Sequence, residues 1–281
     1  MSSSFSAVSD PASPIVTLPA TVLTPQGAEQ RMDAIASETP VALVFNGISH
    51  AVMMCTPSNL EAFALGFALS EGLIDTPSDC YGIEIAEAAE CSDDPESPGI
   101  SVELTIASRC FARLKDKRRA LTGRTGCGVC GVDSMDALDL TPEPLTLPDW
   151  ALAIGLPQLQ QAFAQLPALQ VLNQQAGAIH AAGWATADGQ LQVVMEDVGR
   201  HNALDKLLGH MAQQQWLSTP GFVVMTSRAS YELVRKCARM GLPVLATISA
   251  PTGLAIGIAS QAQMRLFGLC RGPRAVLYTP R

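Results

Sequence analysis

GFVVMTSRASYELVRKCARMGLPVLATISAPTGLA, residues 221–255, holds the alternation from which the fold is read. GFVVMT (221–226) has the composition of a short buried strand. A helical pattern over 229–240 follows and is closed by Gly241. PVLATI (243–248) is a second strand, and 252–264 a second helix. Strands separated by helices of this length predict an α/β layered sheet. Working outward, a final strand pair is expected near 266–279. On the other side lie a helix near 202–214 and a hairpin in HAAGWATADGQLQVVMED (180–197), turning at Asp188-Gly189. A further helix covers about 150–166.

TPEPLTLPD (141–149) is a proline-rich connector and the best internal boundary. Ahead of it the pattern is richer in strands. VALVFNGISHAVMMC (41–55) reads as a hairpin around Asn46-Gly47. Ser58 and Glu61 have the spacing of a capping box, Leu60, Phe63, Ala64, Phe67 and Ala68 share one helical face, and Gly72 marks the stop. Alternation at Ile83 and Ile85, then at Ile100, Val102, Leu104 and Ile106, predicts two strands around a polar loop at 91–98. The expected organisation is therefore a disordered or extended tail over 1–38, a smaller β-rich portion over 39–140, and an α/β portion over 150–281. The fold class is α/β with an α+β mixture.

With 281 residues, 48% of them hydrophobic and 16% charged, the chain has enough apolar surface for a sizeable core. Its net charge of -8 disfavours a general nucleic-acid binder, which needs a basic surface. The N-terminus lacks the basic and apolar regions of a secretory signal, and no apolar run is long enough to span a bilayer. A cytoplasmic location without membrane insertion is expected. There the eight cysteines stay reduced, and six of them read as small core hydrophobes.

The remaining two are Cys127 and Cys130 in TGRTGCGVCG (122–131). Such a pair binds a metal, exchanges a disulfide, or carries something on sulfur. Structural zinc needs four ligands; there is no second C-x-x-C, and His50, His180, His201 and His210 have no ligand-like spacing, although His201 is free to approach in space. No metal is expected. A thioredoxin-like pair opens a helix after a strand, and this one follows a basic segment instead. Arg109, Arg113, Lys115, Lys117, Arg118, Arg119 and Arg124 precede it, opposed locally by Asp116 alone. The run is either a solvated helix face or a positive field that lowers the thiol pKa. A second thiol three residues away is placed to attack a sulfur bound to the first.

Three further stretches are candidates for binding. MTSRAS (225–230) and ISAPTG (248–253) each leave a strand and enter a helix, where free N–H groups favour anions. Thr226, Ser227, Arg228, Ser249 and Thr252 would face the carboxyl edge of the sheet, either as ligand contacts or as routine helix caps. LCRGPR (269–274) brings Arg271 and Arg274 to the same edge. Together they suggest a phosphorylated or nucleotide-like ligand. EDVGRHNALDKLLG (196–209) concentrates Glu196, Asp197, Arg200, His201, Asn202, Asp205 and Lys206. It is either an internal ion-pair network or a polar wall for a charged ligand.

These stretches, with LVFNGISHAVMMCTPSNLEAFALGFALSEGLI (43–74), resemble the FdhD family of formate dehydrogenase accessory sulfurtransferases, from about residue 40 to the C-terminus. The resemblance implies a cytidine-deaminase-like layered sheet without the deaminase zinc motif. It implies a homodimer that takes sulfur as a persulfide from a pyridoxal-phosphate cysteine desulfurase. The sulfur then passes to the molybdenum cofactor, a bis-molybdopterin guanine dinucleotide carried as cargo, before that cofactor enters formate dehydrogenase. Cys127 matches the persulfide-bearing cysteine and Cys130 its partner. The family's cofactor-binding stretch falls on Leu269, Cys270, Arg271, Gly272, Pro273 and Arg274, with Pro273 in place of a more flexible residue. Cys270 itself reads as a packed core thiol. The alternatives are a non-catalytic cofactor chaperone and a thiol–disulfide oxidoreductase.

Overall fold

The structure, a computed structural model, describes residues 12–88, 99–119 and 142–279. The alternation at 221–264 folds as expected. Strands β9 (Gly221–Met225), β10 (Val244–Thr247) and β11 (Arg265–Arg271) run parallel, joined by helices α7 (Tyr231–Arg239) and α8 (Gly253–Gln261). The predicted hairpin, β7 (His180–Thr186) and β8 (Leu191–Asp197), adds antiparallel to β9, and β12 (Arg274–Leu277) closes the far side. The six-stranded order is β12-β11-β10-β9-β7-β8.

Both faces of this sheet are covered, which explains why its parallel strands read as unbroken apolar runs. On one face Trp184, Val223, Met225, Leu245 and Leu266 pack with α6 (Arg200–Gln213), α7 and α8. On the other, Phe222, Val224, Val244 and Phe267 meet Ala151, Ile154, Leu159 and Leu166. Ala151 comes from α3 (Asp149–Ala153), Leu159 and Leu166 from α4 (Leu156–Leu169), and Ile154 from the junction, so the single helix expected at 150–166 is broken at Ile154-Gly155. A short helix, α5 (Val171–Ala176), leads into β7.

The N-terminal portion is a second sheet of order β4-β3-β6-β5, from β3 (Thr39–Phe45), β4 (Ile48–Cys55), β5 (Cys80–Ala88) and β6 (Gly99–Ile106). Asn46 and Gly47 both take positive φ, 46° and 77°, as a two-residue hairpin turn requires. The sheet's inner face packs on α1 (Leu60–Ser70) and on the start of α2 (Ser108–Arg119). Helix α1 lies between this sheet and α6. Ala62, Leu65, Gly66 and Leu69 are therefore buried along with the expected apolar face. Gly72 ends it with φ 69°.

Two expectations are corrected. Residues 15–36, within the stretch assigned to a tail, are extended but paired: β1 (Ile15–Thr24) and β2 (Gly27–Ala36) form a two-stranded antiparallel sheet. The Ser58–Glu61 capping box does not form. Asn59 occupies the cap in a left-handed conformation without a side-chain bond, and the Ser58 hydroxyl instead accepts from Lys206 Nζ at 3.3 Å.

Candidate functional site

The carboxyl ends of β9, β10 and β11 meet at one edge, and backbone hydrogen bonds join the loops that leave them. Ile248 N donates to Met225 O, Thr252 N to Ala229 O, and Leu269 N to Ser249 O. Gly268 permits the approach: a Cβ there would stand 2.8 Å from Pro251 Cδ and 3.1 Å from Ser249 O. The chain then turns through Leu269 (φ 52°) and Gly272 (φ 52°), with a register shift between Gly268 and Arg271.

Beside this turn lies a cleft of about 270 Å³. Ile248, Cys270, Arg271, Gly272 and Arg274 line one side, and Leu156, Gln160 and Phe163 of α4 the other. Arg271 Nε donates to Ile248 O at 3.0 Å, and Gln160 Nε2 donates to Gly272 O at 3.0 Å, so both walls brace the turn. Of the six residues of 269–274, Cys270, Arg271, Gly272 and Arg274 line this concavity, while Leu269 and Pro273 do not. Sequence reasoning did not find Gln160 or Phe163, which lie more than a hundred residues away on a helix with no distinguishing pattern.

The other candidate residues divide. Thr226 Oγ1 accepts from Ala181 N at 2.8 Å, which ties β9 to β7. Ser227 is buried and donates to Arg228 O. Thr252 caps α8 by accepting from Ala255 N at 3.2 Å, the routine alternative. Thr247 Oγ1 donates to Ser249 O. Arg228 is exposed at the edge.

The acidic and basic residues of 196–209 divide as well. Glu196 accepts from Leu172 N and Asn173 N, capping α5. Asp197 and Lys206 are fully buried and 2.7 Å apart. Asp205, buried, contacts Lys236 Nζ through both oxygens at 2.9 Å, with Ser70 Oγ donating at 2.7 Å. Burial opposes the Lys236 charge, yet Asp205 and Glu71 together hold its pKa above the ordinary lysine value. Glu71, although burial alone would raise it, is held down at about 2 by Lys236 and Arg235. These are structural networks. Arg200 and His201 stand apart from them, half-buried at the sheet edge, where His201 Nε2 pairs with Glu232.

Cys127 and Cys130 lie outside the described residues, as do the side chains of Lys117, Arg118 and Arg119. Of the basic run, Arg109 pairs with Asp79 and Arg113 with Asp75, while Lys115 Nζ sits 4.3 Å over the Phe111 ring. Those three are therefore engaged by neighbours within the described part of the fold. The described cysteines are poor nucleophiles. Burial pushes Cys237 and Cys270 up to about 12, raises Cys55 with help from Asp197, and raises Cys80. Cys110 is buried. Brief alkylation of the native protein at pH 8 should leave Cys55, Cys237 and Cys270 unmodified, whereas denatured protein takes label at all eight cysteines. Peptide mass mapping checks this, and native labelling of Cys270 would refute its placement as a packed thiol.

Among the described residues, no helix is long and apolar enough to cross a membrane. The chain is similar to sulfur carrier protein FdhD of Chromobacterium violaceum, at 52% identity over 247 residues, covering 88% of each chain. It is also similar to the protein of that name from Burkholderia mallei, at 50% identity over 244 residues, covering 87% of this chain and 88% of the relative. A crystal structure of a protein provisionally assigned as a formate dehydrogenase accessory protein, from Desulfotalea psychrophila, shares the fold. It superposes with a TM-score of 0.72 at 22% identity over 95% of this chain and 98% of its own. The sequence profile of the FdhD/NarQ family matches residues 36–281, and the chain belongs to that family.

Proposed function

We propose that this protein carries sulfur as a persulfide on Cys127, from a cysteine desulfurase to the molybdenum cofactor used by formate dehydrogenase. The observation that carries the reading is 50% identity, over most of the chain, to proteins named as sulfur carriers. The fate of the cysteines supports the site. All five described thiols are buried or partly so, and of the other three, Cys91, Cys127 and Cys130, only the last two form a glycine-flanked pair.

In the loading step the Cys127 thiolate attacks the terminal sulfur of the desulfurase persulfide. That S–S bond breaks, the desulfurase thiolate leaves, and Cys127 bears the new persulfide. In the delivery step the Cys130 thiolate attacks Cys127 Sγ. A disulfide forms, hydrosulfide is expelled toward molybdenum, and the two electrons that reduce the sulfane sulfur come from the thiol pair. A thiol reductant then restores the pair. The cleft beside 269–274 supports cofactor binding: it has an apolar wall, two arginines and a turn whose glycine exposes backbone. At 270 Å³ it falls below the roughly 300–1,000 Å³ of pockets that enclose a whole drug-sized ligand, so it would hold one end of the dinucleotide.

The test is intact-protein mass spectrometry after incubation with a cysteine desulfurase and cysteine, with and without reductant. Wild type and Cys130→Ala should gain one reductant-sensitive sulfur atom, and Cys127→Ala none. Cys130→Ala should then fail to activate formate dehydrogenase. If wild type gains no sulfur beside a competent desulfurase, the carrier reading is wrong and a cofactor chaperone takes its place.

A further inference from the structure

We propose that the edge of the six-stranded sheet where β9 and β10 begin, opposite the carboxyl edge, binds a small, uncharged, flat molecule of one or two rings with a hydrogen-bond acceptor on its rim. The inference is independent of the sulfur-delivery reading. The site is a cavity of about 190 Å³. The connector and α3 supply Thr146 and Trp150, the loop entering β9 supplies Ser218 and Thr219, and the loop entering β10 supplies Pro243. Trp184, near the end of β7, completes the wall. Backbone bonds hold all three segments in place. Leu145 N donates to Ala262 O, Thr219 N to Trp216 O, and Leu242 N to Cys237 O, each at 2.9 Å.

The lining sets the chemistry of the occupant. Trp184 is only 1% exposed, and its indole N–H has no acceptor among the described residues. A buried indole N–H ordinarily finds a partner, so an acceptor from outside the chain would complete this one. The edge of the ring that carries the N–H lies against Gly221, where a Cβ would stand 2.5 Å from Trp184 Cζ2 and 2.9 Å from Cε2. Gly221 is two residues from Thr219, so the donor stands beside the cavity rather than inside the core. No charged side chain is among the described residues that line the cavity, and an ion entering it would lose hydration without gaining a counter-charge. Trp150 is half-buried and adds a second aromatic wall, which favours a flat ring. Thr146, Ser218 and Thr219 are exposed at the rim, where their hydroxyls both donate and accept. The volume lies below the roughly 300–1,000 Å³ of pockets that enclose a drug-sized ligand, which limits the occupant to one or two rings.

The test titrates the full chain with benzamide and adenine as neutral probes and with benzoate as the charged control. Binding is followed through the three tryptophan indole N–H signals by nitrogen-15 NMR. Both neutral probes should shift the Trp184 signal downfield, as a new hydrogen bond does, and benzamide should bind about tenfold more tightly than benzoate. Trp184→Phe keeps an aromatic ring and removes the donor. Benzamide affinity, read there from the Trp150 signal, should fall about tenfold. Ser218→Phe places a ring across the mouth from an exposed position and should abolish the response while leaving the core alone. Circular dichroism and melting temperature report whether each variant folds, and if Trp184→Phe does not, Ser218→Phe decides. A Trp184 signal that neither neutral probe moves, an affinity unchanged in Ser218→Phe, or benzoate binding as tightly as benzamide overturns the site.

Discussion

Gly209→Ala is expected to lower the melting temperature by roughly 10 °C, corresponding to a loss of about 3 kcal/mol or more from overpacking at a helix crossing. In an isolated helix the same change would stabilise by about 1 kcal/mol, so the sign itself is the test. The reason is the approach of α1 to α6. A Cβ on Gly209 would stand 1.8 Å from Ala62 O and 2.8 Å from Gly66 N, and a Cβ on Gly66 would stand 1.8 Å from Asp205 O. These obstacles are backbone atoms, which no rotamer change moves aside. Either the helices separate, opening the contact between the N-terminal sheet layer and the α/β sheet, or the helix backbone distorts. Gly257→Ala in α8 is the control, since nothing lies within 4 Å of its added Cβ. It should leave stability unchanged or raise it slightly. A Gly209→Ala protein that melts with wild type would show that the two helices do not meet at this distance.

That crossing was not legible in the sequence, and the reason is physical. A glycine read from sequence signals a turn or a helix stop, and Gly72, Gly189 and Gly241 behave so, each with positive φ. Gly66 and Gly209 instead serve a partner more than a hundred residues distant, and nothing local reports it. The elements that were legible rest on local chemistry: the Asn46-Gly47 turn, the Asp188-Gly189 turn, and the apolar runs of β9 and β10. The β1–β2 pair escaped because little of it is buried: Leu23 is 80% exposed and Met32 61%. Its strands thus lack the inward apolar alternation that marks a core sheet. The stretch 196–209 held a signal that went unused. Asn202, Asp205, Lys206 and Gly209 recur at helical spacing, which puts them on one buried face, while Arg200 and His201 precede that row. The cleft was half legible, since 269–274 could be aligned but the α4 wall could not.

Lys206→Met is expected to destabilise the fold by about 3–5 kcal/mol, because it leaves a carboxylate buried without its cation. The ammonium is fully buried and fully employed. It lies 2.7 Å from Asp197 Oδ2 and donates to Thr56 O at 2.9 Å, to Glu196 O at 3.1 Å and to Ser58 Oγ at 3.3 Å. Methionine fills most of the volume and replaces none of these bonds. Asp197 would keep three neutral donors, Thr56 N, Gly199 N and Asn202 Nδ2, which orient the carboxylate without neutralising it. Two carbonyls would each lose a donor in the same stroke, although Thr56 O keeps Ser58 N at 2.7 Å. Asp197→Asn should be costly for the converse reason, a buried ammonium without its anion. The double variant Asp197→Asn/Lys206→Met should be less destabilised than the sum of the two, by a coupling of about 1–3 kcal/mol, since it strands neither charge. Urea unfolding of the four proteins gives the cycle. Strict additivity would mean that the two charges act independently, and a Lys206→Met protein as stable as wild type would mean that the joint between β4, β8 and α6 holds without its cation. The same network fixes the local geometry, since Asp197 holds both Thr56 N and the Gly199 N–H at which α6 begins.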